Sequence, residues 1–453
     1  MSRIGKRAVV IGAGVGGIAA AGALIGRFDE VVVLERDQLP DTPQQRLGAQ
    51  QGRHVHALLT AGQRALEELL PGFTDAMVAG GAVPTRANSD SRVEMPGYDP
   101  FPRRDFGWYT YCVSRPLLEF TGRKQAEGRG VEFRSRARAK SLETSADGAR
   151  VTGVRYETDD GDSHLLEADL VIDASGRAVP TLELLKTLGR PAPEETTIGV
   201  DFAYATAVFE TPADPGVDWK ILMTMPGPTD KARGGLLCPM EGGRWIVSLG
   251  GRGEDKPPED LDGFLDYARG LRTQTLYDLI KDLPPVFDIA RYGFPASFRR
   301  HFDRMAPLPR GLLPLGDSIS RFNPVYGQGM TVASLEALKL AGLLDARAGD
   351  ADPLAGLGEA YFAEIEPVID AAWSMSAIPD LAQPTTTGER PPNLAATLQL
   401  GLAFLVLSAR DPEVHKLDTE VRQLMKLPSA LADPALVAKV MAVMAEMQAA
   451  QPA

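Results

Sequence analysis

Ala8-Val9-Val10-Ile11-Gly12-Ala13-Gly14-Val15-Gly16-Gly17 joins an unbroken apolar run to a glycine turn, and the rest of the chain can be placed relative to it. The run Ala8 to Ile11 reads as a buried parallel strand. The Gly12-x-Gly14-x-x-Gly17 turn then opens a small-residue helix that runs to about Gly26. Glycine at these spacings permits a tight turn, close approach of backbone to a pyrophosphate, and close packing of helix on strand. The helix start supplies free N–H groups and a positive dipole end. A second strand, Val31 to Leu34, ends on Glu35 with Arg36 beside it. That is roughly 20 residues beyond the glycines, the distance at which an acid meets the ribose hydroxyls of a dinucleotide. Glu35 is the expected ribose ligand.

Two further segments extend the site. Asp169-Leu170-Val171-Ile172-Asp173-Ala174-Ser175-Gly176-Arg177 and Gly311-Leu312-Leu313-Pro314-Leu315-Gly316-Asp317 each run an apolar strand into a polar turn, and Pro324-Val325-Tyr326-Gly327-Gln328-Gly329-Met330 follows the second. Together the three segments read as flavin adenine dinucleotide (FAD) held along its whole length. Gly12, Gly14, Gly17, Glu35, Arg36, Asp173, Gly316, Asp317, Pro324, Gly327, Gly329 and Met330 are the expected cofactor contacts. Asp317 is assigned to the ribityl or pyrophosphate region. The N–H groups of Gly329 and Met330 are assigned to the negative pyrimidine edge of reduced flavin, as in an oxyanion hole. From the motif-bearing loops, Arg46, His54, His56 and Tyr326 are the candidate groups near the flavin. Two histidines with no nearby carboxylate or cysteine make a poor metal site, so no metal is expected, and each hydrogen-bonds either flavin or protein. Trp108, Tyr109 and Tyr111 line a pocket or belong to a core.

Composition bounds the class. A length of 453 residues allows about three domains, and 44% hydrophobic residues supply an ample core. The net charge of −12 gives nothing to attract nucleic acid or anionic lipid. Cys112 and Cys238 form no CxxC and no disulfide framework and read as buried structural thiols. The seven residues before the first strand leave no room for a signal peptide and no stretch has membrane-spanning length, so a cytoplasmic enzyme is expected. The expected architecture is α/β: a Rossmann-like FAD-binding domain (1–70, 113–190 and 295–350), an antiparallel-sheet substrate domain (71–112 and 191–294), and a helical C-terminal region (351–453). Phe202 to Phe209, Trp219 to Met225, Gly235 to Pro239 and Arg244 to Leu249 are the candidate sheet strands. Val131 to Arg138 and Val151 to Glu157 read as a small sheet, and Gly250-Gly251-Arg252-Gly253 as a turn.

The order GxGxxG, Glu, Arg, Asp-x-x-Gly, Gly-Asp, Pro-x-x-Gly-x-Gly resembles FAD monooxygenases of the p-hydroxybenzoate hydroxylase class over residues 8 to 345. Gln51-Gly52-Arg53-His54-Val55-His56-Ala57, Ser114-Arg115-Pro116-Leu117-Leu118, Gly316-Asp317-Ser318, and Phe322-Asn323-Pro324-Val325-Tyr326-Gly327 are similar to the flavin epoxidases of ionophore polyether biosynthesis. The Glu241-Gly242-Gly243-Arg244-Trp245 strand and Asp418-Thr419-Glu420 in the tail are similar to that branch too. The resemblance implies that Arg115 contacts the FAD phosphates or ribose. It also implies that reduced FAD forms a C4a-hydroperoxyflavin with O2, which passes one oxygen atom to an alkene of a hydrophobic natural-product substrate, polyketide or polyprenyl-like, in secondary metabolism. Aromatic hydroxylation is the alternative. The middle motif departs from the usual Ala-Asp-Gly, which leaves two routes for reduction: NAD(P)H directly, or a partner flavin reductase. A flavin halogenase would show Trp-x-Trp-x-Ile-Pro, which Phe106-Gly107-Trp108-Tyr109 is not. A flavin reductase or dehydrogenase without oxygen insertion uses the same FAD site. A non-enzymatic flavoprotein would use the stripe Val437, Val440, Met441 and Met444 as a contact surface or homodimer seam, so the chain is expected to be monomer or homodimer.

Overall fold

The computed structural model describes residues 3–226 and 232–450; Met1 and Ser2 of the leading segment lie outside the described residues. Five parallel strands form one sheet in the spatial order Leu312–Pro314, Leu170–Asp173, Gly5–Ile11, Phe28–Leu34, Glu132–Arg134. The three central strands each read as continuous apolar runs because both faces of a parallel sheet are covered. Helices Val15–Leu24 and Gly329–Arg347 pack on one face, and a three-stranded antiparallel sheet (Arg138–Thr144, Val151–Glu157, Ser163–Glu167) packs on the other. Val131 to Arg138 therefore does not belong to a single small sheet. Its first part, Glu132–Arg134, is the parallel edge strand, and Arg136, at φ 53°, turns the chain into the antiparallel one.

The second large sheet has seven strands in the order Ser320–Arg321, Ala290–Arg300, Glu195–Glu210, Arg244–Arg252, Gly234–Met240, Ile221–Thr224, Ser91–Glu94, antiparallel except for the last pair. Its two faces alternate with the pleat. Ala205, Ala207, Phe209, Val247 and Leu249 turn towards helices Leu261–Arg269 and Thr275–Ile280, where Phe264, Tyr267 and Leu276 complete a second core. Tyr204, Thr206 and Tyr292 lie on the opposite face, towards the parallel sheet. The segment Gly250 to Arg252, expected as a turn, is instead the end of a strand. Its glycines answer to packing: a Cβ on Gly250 would stand 2.4 Å from the Phe202 ring, and one on Gly251 would stand 2.1 Å from both the Asp255 carbonyl and the Tyr267 hydroxyl.

The tail is helical: Leu357–Leu381, Leu394–Arg410, Pro412–Arg422 and Pro434–Ala449. The first of these runs six residues past Met375, through Pro379, and so carries Asp380 into the interior. The stripe on the last helix is not one face. Val440 is buried and Met444 partly buried against Ala403 and Leu407, while Val437 and Met441 are exposed. Cys112 and Cys238, free and far apart in sequence, are neighbours whose thiols share a hydrogen bond. Among the described residues no helix is long and apolar enough to cross a membrane.

Candidate cofactor and substrate site

A cavity of about 460 Å³ lies between the carboxyl ends of the parallel strands and the antiparallel sheet, where ligands of open α/β sheets are received. At one end it is lined by Gly12, Gly14, Gly16, Glu35, Arg36, Asp37, Arg46 and Arg115. The turn closes only with glycine: a Cβ on Gly17 would lie 1.8 Å from the Gly12 carbonyl oxygen, and Gly12 itself has φ 100°. Helix Val15–Leu24 starts at Gly14 with no side-chain cap and no acid in its first turn, so its N–H groups are free for an anion. Arg115 stands over the same turn, its Nη2 3.7 Å from where a Gly14 Cβ would be. Ser114 caps the Arg115 helix by accepting from the Leu117 N–H, and Glu241, in the turn between strands Gly234–Met240 and Arg244–Arg252, accepts from the Ser114 N–H and hydroxyl.

The acid expected for the ribose is fixed by its own surroundings. Glu35 accepts the Ala13 N–H at 2.8 Å and the Asp37 N–H at 3.0 Å, which ties the second strand's end to the glycine turn. Arg46 lies against it, with ion pairs to Glu119 at 2.6 Å, Glu35 at 3.3 Å and Asp37 at 3.6 Å. Burial works against the Arg46 charge, yet the surrounding carboxylates, Glu119 first, raise its pKa. Glu119 also takes the Arg115 Nε at 2.6 Å, and although burial favours its neutral form, Arg115 and Arg46 lower its pKa. Arg46 thus lines the cavity beside Glu35 and the glycine turn. Glu119 was not singled out from the sequence, although its i,i+4 spacing from Arg115 on one helix face was the available signal.

At the other end, strand Leu312–Pro314 delivers Gly316 and Asp317. The Gly316 N–H donates to Glu336 Oε2 at 2.6 Å; burial raises the Glu336 pKa to about 8, so it is a neutral acid at pH 7, and its Oε1 has no protein partner. Asp317 faces the cavity, and its removal from bulk water raises its pKa. Helix Gly329–Arg347 also starts without a side-chain cap or an acid in its first turn, and Gln328, just before it, lines the cavity with its Oε1 buried and unpartnered. Two uncapped helix starts and an orphan polar atom on one cavity call for a long polar ligand with an anionic part.

Two expected site residues point elsewhere. Asp173 does not line the cavity: its Oδ1 accepts the Ser175 N–H and its Oδ2 accepts the Thr181 N–H and hydroxyl, so both oxygens hold the turn after the strand. Tyr326 does not line it either. Its hydroxyl donates to Asp380 at 2.9 Å, and Asp380 also accepts from Asn323 Nδ2 and Arg252 Nη2. Burial and Asp380 together raise the Tyr326 phenol pKa. Arg252, Asn323 and Asp380 were not legible as a set because they come from a strand, a loop and the tail.

The histidines divide. His54 is buried, hydrogen-bonded through Nδ1 to Thr206 at 2.8 Å and set edge-on to Tyr204, so it fastens the loop to the antiparallel sheet. His56 lines the cavity. Its Nδ1 donates to the His54 carbonyl at 2.9 Å, which leaves Nε2 as the acceptor. Burial first, then Arg115, lowers its pKa to about 3, so it is neutral. Beyond it the wall is Tyr204, Tyr292, Phe294, Arg321 and Phe322. Trp108 stacks on Phe106 away from the cavity, and Tyr109 is exposed.

A family model described as "FAD binding domain" matches residues 6–376. The chain belongs to the FAD binding domain family. Among curated relatives of this flavoprotein, Protein Rv3254 of Mycobacterium tuberculosis is 32% identical over 402 residues, covering 85% of this chain and 82% of that one. Digeranylgeranylglycerophospholipid reductase 1 of Methanopyrus kandleri is 28% identical over 332 residues, covering 72% and 76%. Among solved structures, the flavin-dependent brominase Bmp2 superposes with a TM-score of 0.67 at 15% identity over 99% of this chain and 100% of that one. PqsL of Pseudomonas aeruginosa, a probable FAD-dependent monooxygenase, gives 0.64 at 18% over 83% and 96%. These establish a shared fold, a parallel-sheet FAD domain with an antiparallel sheet and C-terminal helices.

The FAD binding domain's buried histidine makes a pH prediction. Burial, then Arg53, lowers the His54 pKa from 6.5 to about 4. The unfolded chain therefore takes up a proton below pH 6.5 that the folded chain refuses until about pH 4, and stability falls through that window. The contribution is about 3 kcal/mol. Denaturant unfolding of wild type and His54→Gln at pH 7 and pH 4.5 checks it: the wild type is expected to lose the more stability. Equal losses would assign the acid sensitivity to other groups.

Proposed function

We propose that this flavoprotein is an FAD-dependent monooxygenase that transfers one oxygen atom from O2 to a hydrophobic small molecule. Epoxidation of an alkene in a natural-product substrate is our first reading, and hydroxylation of an aromatic ring the second. The observation that carries the proposal is the cavity: two uncapped helix starts, one towards each end, share it with a wall of Tyr204, Tyr292, Phe294 and Phe322. FAD, when bound, supplies the chemistry by accepting electrons and, once reduced, activating O2.

The chain's own residues hold and enclose. Free N–H groups around Gly14 and Gly16, with Arg115, would hold the pyrophosphate. Glu35, oriented by the Ala13 and Asp37 N–H groups, would accept from the ribose hydroxyls, with Arg36 at the cavity edge and Arg46 holding the acid in place. Gly316 and Asp317 would border the ribityl chain, Gly329 and Met330 would present N–H groups to the flavin's pyrimidine edge, and Pro324 and Gly327 would line the loop beside it. Neutral His56 would accept a hydrogen bond at Nε2 without adding charge. The aromatic wall would exclude water and position the substrate. The local likeness of Phe322 to Gly327 to the polyether epoxidases favours the alkene. A reductase without oxygen insertion is the rival, favoured by the 28% identity to the digeranylgeranylglycerophospholipid reductase.

Rapid mixing of photoreduced, FAD-loaded protein with oxygenated buffer tests the reading. A transient absorbing species between reduced and oxidised flavin, whose decay changes with an alkene or a phenol probe, is expected. Direct return to oxidised flavin under every condition would favour the reductase. Anaerobic addition of NADH or NADPH distinguishes direct reduction, which bleaches the flavin, from dependence on a partner reductase.

A further inference from the structure

We infer that Arg321 anchors an acidic substrate: a largely apolar molecule bearing a carboxylate, its hydrocarbon laid against Tyr204, Tyr292 and Phe294. The inference rests on the reading that this end of the cavity receives the substrate.

Arg321 ends the short strand Ser320–Arg321, paired with Phe298 and Arg299, so it belongs to the antiparallel sheet and lines the cavity from that side. Its Nη2 donates to the Tyr292 hydroxyl at 2.9 Å, and its guanidinium lies 4.8 Å over the Phe294 ring. Those contacts orient the fork and leave its remaining N–H groups free. Three other arginines of the same sheet are neutralised: Arg252 by Asp380, Arg299 by Asp370, and Arg300 by Glu195. Among the described residues Arg321 makes no ion pair within 4 Å; Asp317, which shares the cavity, feels its charge from farther off, Arg321 lowering a carboxyl pKa that burial raises. The expected pyrophosphate has its own cation, Arg115, beside Gly14. His56, being neutral, adds no second positive charge to compete for the anion.

A partly buried guanidinium that faces a cavity with no ion pair of its own is incompletely satisfied. A planar carboxylate satisfies it with two parallel, charge-assisted hydrogen bonds. The tyrosines, with ring centroids 5.7 Å apart and planes tilted 40° to each other, offer the adjoining apolar surface. The geometry thus favours acids over the corresponding esters, and it places the group to be oxidised by its distance from the carboxylate.

The test uses oxidised, FAD-loaded protein and two probe pairs: geranic acid with its methyl ester, and 4-hydroxybenzoic acid with its methyl ester. Binding is followed by calorimetry and by the change in flavin absorbance. Wild type is expected to bind at least one acid about 10- to 100-fold more tightly than its ester, the fold-change of a charge-assisted hydrogen bond. Arg321→Met is expected to lose that preference while retaining FAD and ester affinity, and Arg321→Lys to keep part of it. Equal affinities for acid and ester in wild type, or no response to either acid into the millimolar range, would overturn the inference, as would an acid preference that survives in Arg321→Met. No oxygen chemistry enters these measurements. An acid preference with no oxygen transient would therefore retain the anchor and remove the monooxygenase, and the converse would do the opposite.

Discussion

Gly17→Ala is expected to abolish FAD retention and to cost at least about 3 kcal/mol of stability, the upper part of the range for overpacking a close-packed site. The added methyl would sit 1.8 Å from the Gly12 carbonyl oxygen, which belongs to backbone and cannot swing aside like a side chain. Either the helix Val15–Leu24 lifts from the strand Gly5–Ile11, or the turn opens. Both misplace the N–H groups at the cavity end. Flavin absorbance per protein after gel filtration, with denaturant unfolding of the same sample, checks the expectation. Gly401→Ala is the control. That glycine is exposed within helix Leu394–Arg410 with nothing near its would-be Cβ, so the same substitution is expected to gain about 0.5–1 kcal/mol from helix propensity. A Gly17→Ala chain that keeps its flavin and its stability would show that the turn can relax.

Asp380→Asn is expected to be nearly as damaging, by electrostatics and not by size. Asp380 is 1% exposed and carries the counter-charge of Arg252, itself 10% exposed. Removing one partner of a buried pair leaves the other uncompensated, which costs about 3–5 kcal/mol. The same carboxylate holds Asn323 and Tyr326, on either side of the loop that leads into Gly327, Gln328 and Gly329. Faster FAD release should therefore accompany the lost stability. The double variant Arg252→Met, Asp380→Leu is expected to recover part of the stability, since a neutral apolar pair removes the stranded charge. Full stability in Asp380→Asn would mean that water or a neighbour replaces the charge.

The sequence was most legible where backbone sterics dictated residue type. Gly12, Gly14 and Gly17 marked the strand–turn–helix, and the alternation around Tyr204 and Thr206 marked the antiparallel sheet, because both are local patterns. Arg46 and Tyr326 were drawn to the site by the loops they occupy, but a loop's position does not fix where a long side chain goes. Arg46 turned to three carboxylates and Tyr326 to one in the tail. Asp173 sat in the right motif and was spent on its own turn. Arg321, Tyr292 and Tyr204 went unremarked because they meet only through pairing of strands that lie far apart in the chain.

During synthesis Arg252 and Asn323 emerge before the carboxylate that neutralises the one and holds the other. Until Asp380 emerges, the loop ahead of Gly329 lacks its anchor. Domains fold largely as they emerge, N-terminal parts first. The cavity therefore acquires its final shape only with helix Leu357–Leu381, and FAD capture falls late in the life of the nascent chain. Chains that stop short of Asp380 should fail to retain flavin.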